Sequence, residues 1–126
     1  MSTKSGFILC SVLGLILSGC AFRQAEILLT LKGGAIVDYL CDGGDSARAH
    51  YYALSDDSLR FVKVSLKDGR QYTLPNVVSA SGARYSDDRE LTWWIKGDTA
   101  LVEVRDLSGA WKTQYRACNK IPDSRR

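Results

Sequence analysis

Apolar and polar positions alternate along most of this chain in short runs separated by turn-forming residues. From Ala35 the runs read "AIVDYLC", "ARAHYYAL", "LRFVKVSL", "QYTLP", "NVVSA", "LTWWI", "ALVEVR" and "WKTQYRAC". Between them stand "DGGD", "SDDS", "KDGR", "KGD" and "DLSG". In "LRFVKVSL" a period of two puts Val62, Val64 and Leu66 on one face and Phe61, Lys63 and Ser65 on the other. Asp68-Gly69 predicts a two-residue hairpin turn. Pro75 has no N–H to give to a ladder, so it marks a bulge, an edge or a bend. No run carries a helical period over three turns. About eight short strands with a turn every eight to twelve residues predict an all-β fold, a small antiparallel sandwich or barrel. A barrel is favoured, because closure removes exposed edge strands.

The N-terminus follows a different pattern. "MSTKSG" carries one cation, "FILCSVLGLIL" is apolar but too short to span a bilayer as a helix, and "SGC" supplies small residues. That three-part order predicts a secretory signal peptide over residues 1–19. Leu17-Ser18-Gly19-Cys20 resembles the lipobox of bacterial lipoproteins, with cleavage before Cys20 and lipid on its thiol; the alternative is an ordinary cleaved signal peptide with Cys20 left free. Each buried methylene of such a lipid contributes ~0.8 kcal/mol, so several acyl chains anchor a protein without a spanning helix. Ala21, rather than an aspartate, follows Cys20, which in a Gram-negative cell favours sorting to the outer membrane. The division expected is signal peptide 1–19, lipidated cysteine and tether 20–34, a β-barrel domain 35–118 and a frayed tail 119–126. Within the tether, "EILLTLK" is apolar enough for one short strand or helical turn.

Cysteine usage then narrows. Cys10 leaves with the signal peptide and Cys20 takes the lipid, which leaves Cys41 and Cys118 as one pair in an exported protein. A disulfide between the first and last strand regions is the default. Metal binding is not expected: His50 is the one histidine, and no CxxC or HExxH spacing occurs. A formal charge of +3 over 126 residues, with no basic run beyond Arg125-Arg126, does not point to nucleic acid. No cofactor is implied.

"LTWWIK" sends Leu91, Trp93 and Ile95 to one face and Thr92, Trp94 and Lys96 to the other, so Trp93 belongs in the core and Trp94 outside. Trp94 then either anchors a partner or covers a neighbouring strand. Lys96-Gly97-Asp98 reads first as a turn in which Gly97 supplies the positive φ. Ser81-Gly82 reads as ordinary loop, and Asp87, Asp88 and Glu90 as a solvated rim.

The lipobox, "YLCDGG", "SASGARYSD", "WWIKGDTALVE" and the late Cys118 together resemble the family of membrane-bound inhibitors of c-type lysozyme, from about Asp38 to Cys118. The resemblance implies an eight-stranded antiparallel barrel with one disulfide. It implies no enzyme activity, but a partner, c-type lysozyme, whose active-site cleft the protein plugs. It also implies that a serine of the SG-x-x-Y block and the lysine of the KG block enter that cleft. These fall on Ser81 and Lys96, with support from Gly82, Arg84, Tyr85, Trp94 and Gly97; Ser79 lies outside the block.

The chemistry suits the target. A retaining glycosidase works with two carboxyl groups. An ammonium on a four-carbon stem reaches into a cleft and pairs with carboxylates, and a hydroxyl donates or accepts beside it. C-type lysozymes are basic, so any attraction from this slightly basic chain must be local, with Asp87, Asp88 and Glu90 as the expected source. The alternatives are an envelope lipoprotein barrel that binds a small ligand or another protein, and a Ser81–Lys96 nucleophile pair, which a lysine at a hairpin tip serves poorly.

Overall fold

The computed structural model describes residues 28–123, together with Gly19 and Glu26. The signal-peptide and Cys20 lipidation readings fall, Gly19 apart, outside the described residues. Among the described residues eight strands follow one another: β1 (Leu31–Cys41), β2 (Ser46–Leu54), β3 (Arg60–Leu66), β4 (Gln71–Val77), β5 (Ala83–Ser86), β6 (Leu91–Lys96), β7 (Thr99–Arg105) and β8 (Trp111–Lys120). Each pairs antiparallel with its chain neighbours, and β1 closes on β8, giving the barrel expected from the alternation. β1 begins at Leu31, within the stretch read as tether, because Leu31, Lys32 and Gly33 pair with Leu54, Ala53 and Tyr52.

The inward positions are those the period of two selects. Val62 and Val64 have no exposure and Leu66 has 6%. Trp93 is fully buried at the centre, with Tyr39 edge-on to it at 5.0 Å. Small residues, Ala47, Ala49 and Ala100, line the same interior and make room for the large rings. The Trp93 Nε1 donates to the Tyr51 hydroxyl at 3.1 Å, and that hydroxyl shares a hydrogen bond with Tyr39 Oη at 3.1 Å. Burial is the main reason the Tyr51 hydroxyl is pushed far above the ordinary phenol range.

Two local expectations change. The β3–β4 turn is a three-residue loop, Lys67-Asp68-Gly69, closed by Leu66 N–H to Arg70 O at 2.9 Å. Gly69 takes φ +85°, the left-handed position that ends such a loop. Thr92, placed outward by alternation, has no exposure. Its hydroxyl bonds Ser86 Oγ at 2.9 Å, and the β5–β6 loop folds back there, with Asp88 N–H donating to Ser86 Oγ.

The seam is narrow. β1 and β8 pair over Tyr39–Lys120, Leu40–Asn119 and Cys41–Cys118, and the last pair is a disulfide spanning 77 residues, as the cysteine usage predicts. Replacing Cys41 and Cys118 by alanine should therefore cost about 2–5 kcal/mol and lower the thermal midpoint by about 10 °C or more. A double variant that melts with the wild type in a calorimetric scan would show that the seam holds without its covalent link.

The turns carry their own titration signature. The Asp106 carboxylate accepts from the Ser108 hydroxyl, the Lys112 ammonium and the Ala110 N–H, which hold its pKa at about 2. Asp45 is lowered by Lys67 and Tyr115, Asp56 by Ser58, and Asp68 by the Arg70 N–H. A carboxylate depressed in the folded chain contributes stability above its unfolded pKa, and the contribution is lost as pH falls through the folded value. The thermal midpoint should be flat from neutral pH to about 4 and fall between about pH 4 and 2. A midpoint unchanged down to pH 2 contradicts these contacts.

Candidate functional site

Antiparallel closure sorts the loops between two ends. The β2–β3, β4–β5 and β6–β7 connections share one end, and the other four share the opposite one. Ser81 and Gly82 lie in the β4–β5 connection, and Lys96 and Gly97 at the β6–β7 turn, so both candidate pairs stand at the same end. Register makes them neighbours: Ala83 faces Ile95 and Arg84 faces Trp94.

Gly82 explains how close the two segments come. It sits at φ +66°, and a Cβ there would collide with the Ile95 carbonyl oxygen and lie 3.2 Å from the Lys96 Cγ. Gly97 also has a positive φ, +62°, but faces open space. Its glycine is needed for the turn alone, as "KGD" predicts. Ser79 Oγ donates to Gly82 O at 3.1 Å, so Ser79 braces the loop. Ser81 and Lys96 are exposed.

Trp94 stands outward and half-buried beside them. Its Nε1 donates to the Ser81 carbonyl at 2.9 Å. The Lys96 Nζ lies 4.4 Å from its ring centroid, and the Arg84 guanidinium carbon lies 5.9 Å from it. Ser81, Gly82, Arg84, Trp94, Lys96 and Gly97 thus form one continuous end. Tyr85 does not join them. It is 9% exposed, faces inward opposite Trp93, and its ring lies 5.8 Å from that of Tyr51. Alternation along Ala83–Ser86 carries that signal: if Arg84 points out, Tyr85 points in.

The acidic residues belong elsewhere. Asp87, Asp88 and Glu90 occupy the β5–β6 loop, at the opposite end of the barrel from Lys96. Asp87 is a structural cap. Burial would raise its pKa, but N–H groups of Glu90, Arg89 and Leu91 converge on its Oδ1 and hold it below the usual range. Sequence reasoning also missed the support under the turn. Thr99 Oγ1 donates to Asn119 Oδ1 at 3.1 Å, and Lys120 N–H to Asp98 O at 2.8 Å. These contacts depend on the β7–β8 register, which leaves no local mark in the sequence.

A closed barrel filled by its own side chains, with fixed polar loops at one end, is the frame of a small binding protein. A family model described as membrane-bound lysozyme-inhibitor of c-type lysozyme matches residues 39–111. The chain is 40% identical over 84 residues to the membrane-bound lysozyme inhibitor of C-type lysozyme of Pseudomonas aeruginosa, covering 67% of this chain and 63% of that protein. It is 37% identical over 89 residues to the protein of the same name from Yersinia enterocolitica, covering 71% and 64%. The counterpart from Cupriavidus necator is 36% identical over 99 residues, covering 75% and 74%. The chain thus spans just under two thirds of the length of the first two relatives. Its fold is similar to that of P. aeruginosa MliC in a crystal structure with hen egg white lysozyme, at a TM-score of 0.52 and 26% identity, covering 74% of this chain and 84% of the other. The chain belongs to the family of membrane-bound inhibitors of c-type lysozyme.

The two glycines make separable predictions. Gly97→Ala should cost about 1 kcal/mol, the left-handed strain alone. Gly82→Ala adds the collision with the Ile95 carbonyl and should cost more than about 2 kcal/mol. Urea denaturation measures both, and equal costs would mean the β4–β5 loop does not press on β6.

Proposed function

We propose that this protein inhibits c-type lysozyme by seating the Lys96-Gly97 turn and the adjoining Ser81-Gly82 loop in the enzyme's active-site cleft. In this reading the Lys96 ammonium pairs with the catalytic carboxylates and Ser81 hydrogen-bonds to one of them. The ammonium would also oppose protonation of the catalytic acid. The observation that carries the proposal is the meeting of the two segments: Gly82 packs against Ile95 and the Lys96 stem, and Trp94 holds the Ser81 carbonyl. A loop fixed before binding loses little entropy on docking. The family match and the lysozyme complex of the P. aeruginosa relative support the partner. The filled barrel interior favours this reading over a small ligand inside the barrel.

The location follows from the same reading. The relatives are named membrane-bound, and Leu17-Ser18-Gly19-Cys20 supplies the anchoring cysteine. A lipid on Cys20, with Ala21 after it, would hold the barrel at the outer membrane facing the periplasm, where it guards peptidoglycan.

A turbidity assay of cell lysis by hen lysozyme, with the soluble chain that starts after Cys20, tests the proposal. Wild type should inhibit, and a g-type lysozyme run beside it should be unaffected. Lys96→Ala leaves a desolvated carboxylate unpaired, a loss of ~2–5 kcal/mol or roughly 30- to several-thousandfold in affinity. Lys96→Ala that inhibits as well as wild type removes the assignment.

A further inference from the structure

We infer that Trp94 is the positioning residue of this end: a bracket that fixes the Ser81 loop and the Lys96 ammonium relative to one another before a partner arrives. The inference rests on the reading of this end as the lysozyme-binding surface. The two adjacent tryptophans do different things. Trp93 is spent on the core, fully buried, with its N–H on Tyr51. Trp94 takes part in three interactions at the rim. Its N–H goes to the Ser81 carbonyl at 2.9 Å, its ring carries the Lys96 ammonium at 4.4 Å, and Arg84 lies 5.9 Å from the same ring.

Each contact removes a freedom that binding would otherwise have to remove. Lysine on a turn tip samples many rotamers, and immobilising such a side chain at an interface is costly. The ring's negative face holds the ammonium in one region without desolvating it fully. The Ser81 carbonyl, tied to the indole, fixes the loop that carries the serine hydroxyl. Trp94 is a firm reference, since its backbone pairs with Arg84 on β5 and Leu101 on β7. Its only donor is already committed. It therefore acts on a partner through Ser81 and Lys96 rather than by its own hydrogen bond.

The test is a double-mutant cycle read by direct binding to hen lysozyme, combined with spectra of the free protein. Trp94→Leu should weaken binding roughly three- to tenfold, and Trp94→Phe, which keeps the ring and loses the donor, by less. In a Lys96→Ala background the Trp94→Leu loss should shrink, because one of the groups it positions is gone. Equal losses in both backgrounds would overturn the inference and make Trp94 an independent contact. In the free protein the Lys96 Cε protons should show an upfield ring-current shift that persists in Trp94→Phe and vanishes in Trp94→Leu. Unshifted protons in the wild type would also overturn it. Trp94→Phe carries the test if Trp94→Leu does not fold. A wild type that shows the shift yet does not bind lysozyme would sink the proposed function and leave the bracket standing.

Discussion

Eight strands form a barrel only if the first and last meet, and here they meet over three residue pairs, the last of them bonded through sulfur. That narrow seam supports more than closure. The stretch of β8 that carries Cys118 continues into Asn119 and Lys120, which hold Thr99 and Asp98 beneath the β6–β7 turn. Ala100, the next residue of β7, pairs with Cys118 itself. The turn that presents Lys96 is therefore built on the closure. Opening the seam would leave the end of β8, one wall of the site, held by β7 alone. A covalent link suits this position, because three residue pairs are little to oppose the entropy of a 77-residue loop.

On this base the rim is assembled by close approach. The absence of a side chain at Gly82 lets the β4–β5 loop lie against the backbone of Ile95, and only then does the Ser81 carbonyl reach the Trp94 indole. The Ser81 loop and the Lys96 ammonium, from separate connections, are thereby both held against Trp94. Such a frame fits a target whose own groups are fixed, as the paired carboxyl groups of a glycosidase are. Affinity would then come from few groups held well rather than from broad charge attraction. The acidic loop at the far end and the net charge of +3 agree with that.

Much of the fold was legible in the sequence, because a half-buried strand writes its inward face every second residue. Val62, Val64 and Leu66, and the division of labour between Trp93 and Trp94, follow from that rule alone. What it could not supply are facts of tertiary register. Thr92 breaks the alternation because the β5–β6 loop folds over it. Asp68-Gly69 closes a three-residue loop, since Lys67 is drawn into the turn. Leu31–Gly33 extend β1 because β2 is long enough to receive them. Ser81 and Lys96 stood out through family resemblance, not through their local pattern, which reads as two ordinary loops. Tyr85 lies in the core by its place opposite Trp93, and strand direction alone sets the acidic trio at the other end from Lys96.

If the end carrying Ser81 and Lys96 occupies the sugar cleft of a c-type lysozyme, a ligand of that cleft must compete with it. Competition by a chito-oligosaccharide that fills that cleft tests it most directly, with binding of this protein to hen lysozyme followed by titration calorimetry. The apparent affinity should fall as the sugar saturates the cleft, in step with its occupancy. An affinity unchanged by saturating sugar would place the contact elsewhere on the enzyme and rule out the cleft.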